Sequence, residues 1–261
     1  MPIRRRIGLL IPSTNSTAEP DFAYGVPPGV TVHSHRLWIE PPYPRDAAMD
    51  GMNSQLELGA RYLAAAHVEV VAMAGTANSF YKGQQGSAWM EDEMSRGGGV
   101  PSVSSSPSVV QALRWYRVKK LSVATPYPEW NNQRLREYFT AAGFEVLNVD
   151  GDPRVSRDHH PQHMNDQDPS EIAEFAISIC RRDADAIFCS CSGWRAMEAT
   201  AEIERATGKL AITTNLATLW RALKKLNINE ARPGIGRLLD EMPPIEDPIK
   251  AVLPSGTGDR R

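Results

Sequence analysis

Short apolar runs alternate along the chain with longer segments whose apolar residues recur every three to four positions, the period of a helix with one buried face. The runs Arg6 to Ile11, Thr31 to Arg36, Val68 to Met73, Leu121 to Ala124, Glu145 to Asn148, Ala186 to Cys189 and Leu210 to Thr213 are expected to be strands. Helices are expected over Met52 to Ala66, Ser106 to Trp115, Asn131 to Ala142, Pro169 to Arg181, Ala196 to Thr207 and Asn215 to Leu226. This alternation is the pattern of an α/β fold, a parallel sheet with helices laid over its faces.

Strand after strand ends in small polar residues: Pro12-Ser13-Thr14-Asn15, Gly75-Thr76-Ala77-Asn78-Ser79, Thr125-Pro126-Tyr127, Ser190-Cys191-Ser192-Gly193 and Thr214-Asn215. Ligands of open parallel sheets sit just beyond the carboxyl ends of the strands, so these segments are where chemistry is expected. Two of them resemble each other. His67 to Thr76 and Asp183 to Ser192 share a polar start, an apolar strand and a turn of small residues, and their alignment sets Gly75 against Cys191. A duplicated α/β half whose strand ends converge on one cleft accounts for this; generic strand-turn-helix chemistry is the alternative. Under duplication, residues 1–118 with 214–242 form the first half, residues 119–213 the second, and 243–261 a tail with little reason to fold.

Composition narrows the partners. The 261 residues carry 29 Lys+Arg against 31 Asp+Glu, a formal net charge of −2, which gives no footprint for nucleic acid or an anionic membrane. No apolar run approaches the roughly 20 residues of a membrane span, and the opening Met1-Pro2-Ile3-Arg4-Arg5-Arg6 lacks the apolar core of a secretory signal. Three cysteines, at 180, 189 and 191, are odd in number and clustered, so free thiols and a cytoplasmic setting are expected.

Cys191 follows an apolar strand and precedes Ser192-Gly193, where a helix is expected to begin. A thiol so placed is favoured as thiolate, although a small buried hydrophobe is an equally good reading of its position. Cys180 and Cys189 lie on apolar stretches and read as structural. The hydroxyls and amides of Ser13, Asn15, Thr76, Ser79, Tyr127, Thr213 and Thr214 suit helix caps one by one, whereas several together suit a hydrogen-bonding site for a carboxylate or an enolate. The stretch Asp158 to Asp166, with His159, His160 and His163, has no spacing typical of zinc and reads as a loop near the pocket. Gly97-Gly98-Gly99 lacks the lysine of a P-loop, and neither a dinucleotide fingerprint nor a GxSxG elbow occurs, so no cofactor and no metal are expected.

Taken together, these segments resemble the aspartate/glutamate racemase superfamily, in the group of arylmalonate decarboxylase and maleate cis-trans isomerase. Ile7 to Thr17 is similar to the isomerase opening, including the asparagine at position 15. Met73 to Gly83, with Gly75 where racemases and isomerases have their first cysteine, is similar to the decarboxylase, as are Ala124 to Tyr127 and Ala231 to Leu238. Ser190 to Gly193 carries the second family cysteine. The resemblance implies two doubly wound halves with the site in the cleft between them, Cys191 as the catalytic thiol, and Pro12, Asn15, Thr76, Ala77, Tyr127 and Ser192 around the substrate. Ala77 stands where the decarboxylase has a serine donor. Trp38, His35, His160 and His163 fall in the neighbourhoods of its apolar pocket.

Two opposed thiols are needed for racemisation, and covalent addition to a double bond needs the first cysteine; Gly75 supplies neither. One thiol suffices to protonate an enediolate after CO₂ departs. The expectation is therefore a cofactor-free decarboxylase of a malonate-type diacid. An isomerase or other lyase on a small diacid, and a non-catalytic dicarboxylate-binding protein, are the alternatives. The expected partner is a small dicarboxylate, with homo-oligomer formation left open.

Overall fold

The structure, a computed structural model, describes residues 4–41, 46–157 and 160–245. Eight parallel strands form two four-stranded sheets. The first holds β1 (Arg5–Pro12), β2 (Val30–Leu37), β3 (Val70–Met73) and β4 (Ser102–Ser104) in the order β2-β1-β3-β4. The second holds β5 (Lys120–Thr125), β6 (Glu145–Gly151), β7 (Ala186–Cys189) and β8 (Leu210–Thr213) in the order β6-β5-β7-β8. Renumbered from its own start, each order is the same, so β3 and β7 are equivalent, as are β4 and β8. Both central pairs are buried on both faces, which explains why Ile7 to Ile11 and Ala186 to Cys189 read as unbroken apolar runs instead of alternating ones.

Helices α1 (Ala18–Gly25), α2 (Asp46–Asn53), α3 (Leu56–Ala64), α4 (Ala77–Phe80), α5 (Gly83–Gly98) and α6 (Ser105–Trp115) accompany the first sheet in sequence. Helices α7 (Glu129–Ala141), α8 (Pro161–Asp166), α9 (Pro169–Ile179) and α10 (Ala196–Thr207) accompany the second, and α11 (Thr214–Lys225) and α12 (Arg237–Glu241) close the chain. Ten consecutive residues of α11, Thr214 to Leu223, are buried. A helix buried on every side has no solvent face to keep polar, and α11 is wedged against α1, α6, β3 and β4 while continuing directly from β8. Arg221 on this helix is neutralised by Glu91 of α5, with Nη2 to Oε2 at 3.0 Å. One continuous core, including Ile7, Leu9, Val70, Val123, Ile187 and Trp220, runs through both sheets.

Several expectations are corrected. The helix expected over Met52 to Ala66 is two helices, broken at Ser54-Gln55, because the Gln55 side chain brackets the backbone of Trp38: it accepts from the N–H at 3.0 Å and donates to the carbonyl at 2.8 Å. Strand β4 and helices α1, α2, α4, α5, α8 and α12 were not foreseen. β4 is Ser-Val-Ser and too short for a pattern, α1 has a proline in its first turn, and α5 carries glycines at both ends and in its first turn. Helix α10 starts at Ala196, five residues after Cys191, and not at Ser192-Gly193. Residues 161–166, expected in a loop, are α8; Asp158 and His159 lie outside the described residues, as do 246–261 of the expected tail. Pro243 is anchored, its carbonyl accepting from Trp220 Nε1 at 2.8 Å. Among the described residues no helix is long and apolar enough to cross a membrane, and no three His, Cys, Asp or Glu groups are placed to hold a metal ion.

Candidate active site

In each sheet the chain winds in opposite senses from its first strand, which places a crevice between β1 and β3 and another between β5 and β7. The loops after these four strands meet around one cavity of about 100 Å³. Pro12, Thr14 and Asn15 come from the β1 loop, Gly75, Thr76, Ala77 and Asn78 from the β3 turn, Tyr127 from the β5 loop, and Cys191, Ser192 and Gly193 from the β7 turn. The eight residues singled out from the sequence, Pro12, Asn15, Gly75, Thr76, Ala77, Tyr127, Cys191 and Ser192, are thus brought together. Ile39, Met49, Met52, Pro161 and Met164 supply an apolar face, with Asn165 beside them. Among the described residues no Lys, Arg, His, Asp or Glu lines the cavity.

That apolar face was missed. Trp38 is 59 % exposed and gives its Nε1–H to Glu40, and His35 stacks on Tyr62 with ring centroids 5.1 Å apart. His160 and His163 face each other at 5.0 Å and do not line the cavity; their neighbours Pro161, Met164 and Asn165 do. Methionines that reach a pocket from α2 and from a six-residue helix leave no periodic signal in the sequence.

The two halves are sewn together by hydroxyls at the strand ends. Cys191 N–H donates to Thr214 Oγ1 at 3.1 Å, Thr76 Oγ1 donates to the same oxygen at 3.1 Å, and Ser192 N–H donates to Thr76 Oγ1 at 2.9 Å. Asn15 caps α1, its Oδ1 accepting from the N–H groups of Thr17 and Ala18 at 2.9 Å each, while its Nδ2 donates to Ser192 Oγ at 3.1 Å. Thr76 and Asn15 are therefore structural ties as well as wall residues. Ser79 and Thr213 are occupied with local bonds to the Thr76 carbonyl and Leu216 N–H, and Ser13 Oγ accepts from Ile39 N–H beyond β2. At the first turn of α4, no described residue accepts from the N–H groups of Thr76 and Ala77, which leaves two donors at the cavity wall.

Cys191 sits in a turn with φ of 156°, a region that L-residues rarely adopt. The turn, and not a helix terminus, surrounds its sulfur with donors: Gly193 N–H lies 3.3 Å from Sγ, and Trp194 N–H and the Tyr127 hydroxyl also point to it. Burial nonetheless dominates and pushes the Cys191 thiol above its ordinary value, so the group keeps its proton at neutral pH. Burial likewise pushes Tyr127 well up, with the sulfur beside it adding to the shift, and it lifts the inert Cys189 to about 12. Cys180 lies outside the cavity at the end of α9.

At the equivalent turn of the first sheet, the space that a side chain at position 75 would use is filled. A Cβ placed on Gly75 would fall inside the contact distance of Asn78 Oδ1 and 2.6 Å from Met73 Cε. Gly75 N–H donates to Ser105 Oγ at 3.1 Å.

The sequence that builds this site matches a family model, that of arylmalonate decarboxylase, over residues 7–239. The chain belongs to that family. Among curated relatives of the family, the arylmalonate decarboxylase of Bordetella bronchiseptica is 29 % identical over 190 residues, 70 % of this chain and 75 % of the relative. The maleate isomerase of Geobacillus stearothermophilus is 25 % identical over 256 residues, 90 % of this chain and 96 % of the relative. Among solved structures, a variant of the maleate isomerase Iso of Pseudomonas putida S16 with maleate superposes with a TM-score of 0.83 at 23 % identity, covering 91 % of this chain and 98 % of that one, which establishes the shared fold.

Proposed function

We propose that the protein is a cofactor-independent enzyme that decarboxylates a small malonate-type diacid. The observation that carries this reading is that one thiol, Cys191, lines the cavity, and that the equivalent turn of the other sheet brings a glycine, Gly75, to the same cavity. In the reaction, the bond from the α-carbon to one carboxylate breaks, CO₂ leaves, and the bonding pair becomes the enediolate of the retained carboxylate. The Cys191 S–H bond then breaks and its proton goes to that carbon, leaving a thiolate that takes a proton back from solvent. Decarboxylation and proton return sum to one CO₂ released and one proton consumed.

The retained carboxylate fits the N–H groups of Thr76 and Ala77 together with the hydroxyl of Ser192, neutral donors that strengthen as charge builds and do not hold the dianion as a fixed cation would. The missing serine hydroxyl at Ala77 removes one donor from this set. The departing carboxylate is assigned to the face of Ile39, Met49, Met52 and Met164, where losing charge relieves its desolvation. A proton donor must keep its proton until the enediolate forms, and the raised value of the Cys191 thiol meets that need.

A maleate isomerase reading is favoured by one observation: similarity to the Geobacillus enzyme spans 90 % of the chain, against 70 % for the decarboxylase. The experiment that separates the two follows CO₂ release from a panel of malonates and, in parallel, the ultraviolet absorbance of maleate. CO₂ release from any malonate supports the proposal. Loss of maleate without CO₂ release from the panel assigns the isomerase, and thermal stabilisation by diacids with neither signal removes both activities.

A further inference from the structure

One wall of the cavity presents an acceptor whose orientation is fixed from outside. Asp50 is a carboxylate held below its ordinary value by hydrogen bonds from Lys82 and Tyr81, so it can only accept, and the Tyr81 hydroxyl donates to its Oδ1 at 2.7 Å. With its own proton committed, Tyr81 Oη accepts from Asn53, so the Asn53 atom 3.4 Å away is Nδ2. Asn53 Oδ1 then faces Asn78 and accepts from Asn78 Nδ2 at 2.8 Å. The same logic leaves Asn78 one choice: its amide nitrogen points to Asn53 and its Oδ1 points toward Gly75 at the cavity wall. Asn78 is only 3 % exposed, no described residue donates to its Oδ1, and that oxygen is not fully enclosed by protein.

An acceptor that a ligand covers without supplying a donor becomes a costly group, so a ligand that brings the donor is favoured over one of the same shape that does not. A carboxylate set against it would meet lone pair with lone pair. An ammonium would enter a cavity with no carboxylate in its described lining, whereas a hydroxyl brings a donor without a charge. We infer that Asn78 is a specificity-determining residue and that the diacid taken by this cleft bears a hydroxyl on its reacting carbon, donated to Asn78 Oδ1. This rests on the proposed reading that the cleft holds a small diacid. It also gives the filled space beside Gly75 a purpose: Asn78 Oδ1 occupies it, and the hydroxyl, not the departing carboxylate, sits against that oxygen.

The matched probes are hydroxymalonate and methylmalonate, which differ by OH against CH₃ at nearly equal size. Binding is measured by calorimetry and CO₂ release is followed separately. Wild type is expected to bind hydroxymalonate about tenfold or more tightly than methylmalonate, one hydrogen bond to a buried group. Asn78→Leu, close in volume, is expected to reverse the order. Equal binding of the two acids by wild type, an unchanged preference in Asn78→Leu, or no binding of either acid overturns the inference. Should Asn78→Leu fail to fold, the wild-type preference decides alone. A hydroxymalonate preference that depends on Asn78, with no CO₂ released from either acid, upholds Asn78 as the selector while the decarboxylase reading falls.

Discussion

At the end of β3 the N–H of Gly75 donates to Ser105, the first residue of α6; at the end of β7 the N–H of Cys191 donates to Thr214, the first residue of α11, and both bonds are 3.1 Å. The two turns hold equivalent places in the two sheets and are pinned by the same device. Their difference lies in what fills the cleft. The β7 turn puts a thiol there, with N–H groups gathered on its sulfur and Ser192 bonded to the opposite half. The β3 turn has no side chain at all, and Asn78 and Met73 fold into the space. A scaffold whose symmetry suits two opposed groups here carries a thiol on one side alone, and under the proposed function that thiol would deliver a proton to one face of a planar intermediate.

The sharpest way to break the comparison is Cys191→Ala. Removing the proton donor is expected to lower turnover by about 10²- to 10⁴-fold, the range for a general acid, with the circular dichroism spectrum unchanged. Cys189→Ala should keep its activity. A Cys191→Ala protein as active as wild type would show that the turn after β7 is structural like its twin.

The next effect concerns a support that only the β7 turn has. Asn215 Nδ2 donates to the Ser192 carbonyl at 2.9 Å and to Asp21 Oδ2 at 2.7 Å. Burial pushes Asp21 from 3.8 up to about 7, against the opposing pull of Asn215. Below about 3.8 the group is protonated folded or unfolded and contributes nothing to pH dependence. Between 3.8 and about 7 the unfolded chain ionises while the folded protein keeps the proton, so stability falls as pH rises and the full loss, up to about 4 kcal/mol, is present above 7. Urea unfolding at pH 5 and pH 8 is expected to show this fall in wild type and a much smaller one in Asp21→Asn. An equal fall in both proteins would remove Asp21 from the account.

The smallest effect tests the filled space. Gly75→Cys must displace Asn78 Oδ1 and Met73 Cε, and is expected to cost about 1–3 kcal/mol of stability in urea unfolding, as overpacking does. Gly75→Cys/Asn78→Ala should recover part of that loss. With the second thiol accommodated, it should also exchange α-protons with deuterated solvent when Cys191 is present. No recovery in the double variant would mean that Asn78 does not occupy the position.

Much of this was legible in one dimension. Parallel strands buried on both faces must be apolar throughout, so β1, β3, β5 and β7 stood out, and the small polar residues that close them marked Pro12, Asn15, Gly75, Thr76, Ala77, Tyr127, Cys191 and Ser192. The match between the turns at 75 and 191 was readable because equivalent turns face equivalent backbone geometry. The opposite was true wherever a residue's neighbours were distant in sequence. Nothing local tells that Thr214 receives Cys191 N–H, or that Met49, Met52 and Met164 form the apolar face in place of Trp38 and the histidines.

The sequence by itself determined the α/β class and which strand ends carry polar groups, because these follow from period, run length and turn chemistry, whereas the equal strand order of the two sheets turned a suggested duplication into an observed one. Only the tertiary structure decided that Cys191 keeps its proton, since burial outweighs the donors around the sulfur, and burial is a property of the packed whole. It also decided which atom Asn78 shows to the cavity: that orientation is handed from Asp50 through Tyr81 and Asn53, groups that meet only when α2 and the residues around α4 are packed together.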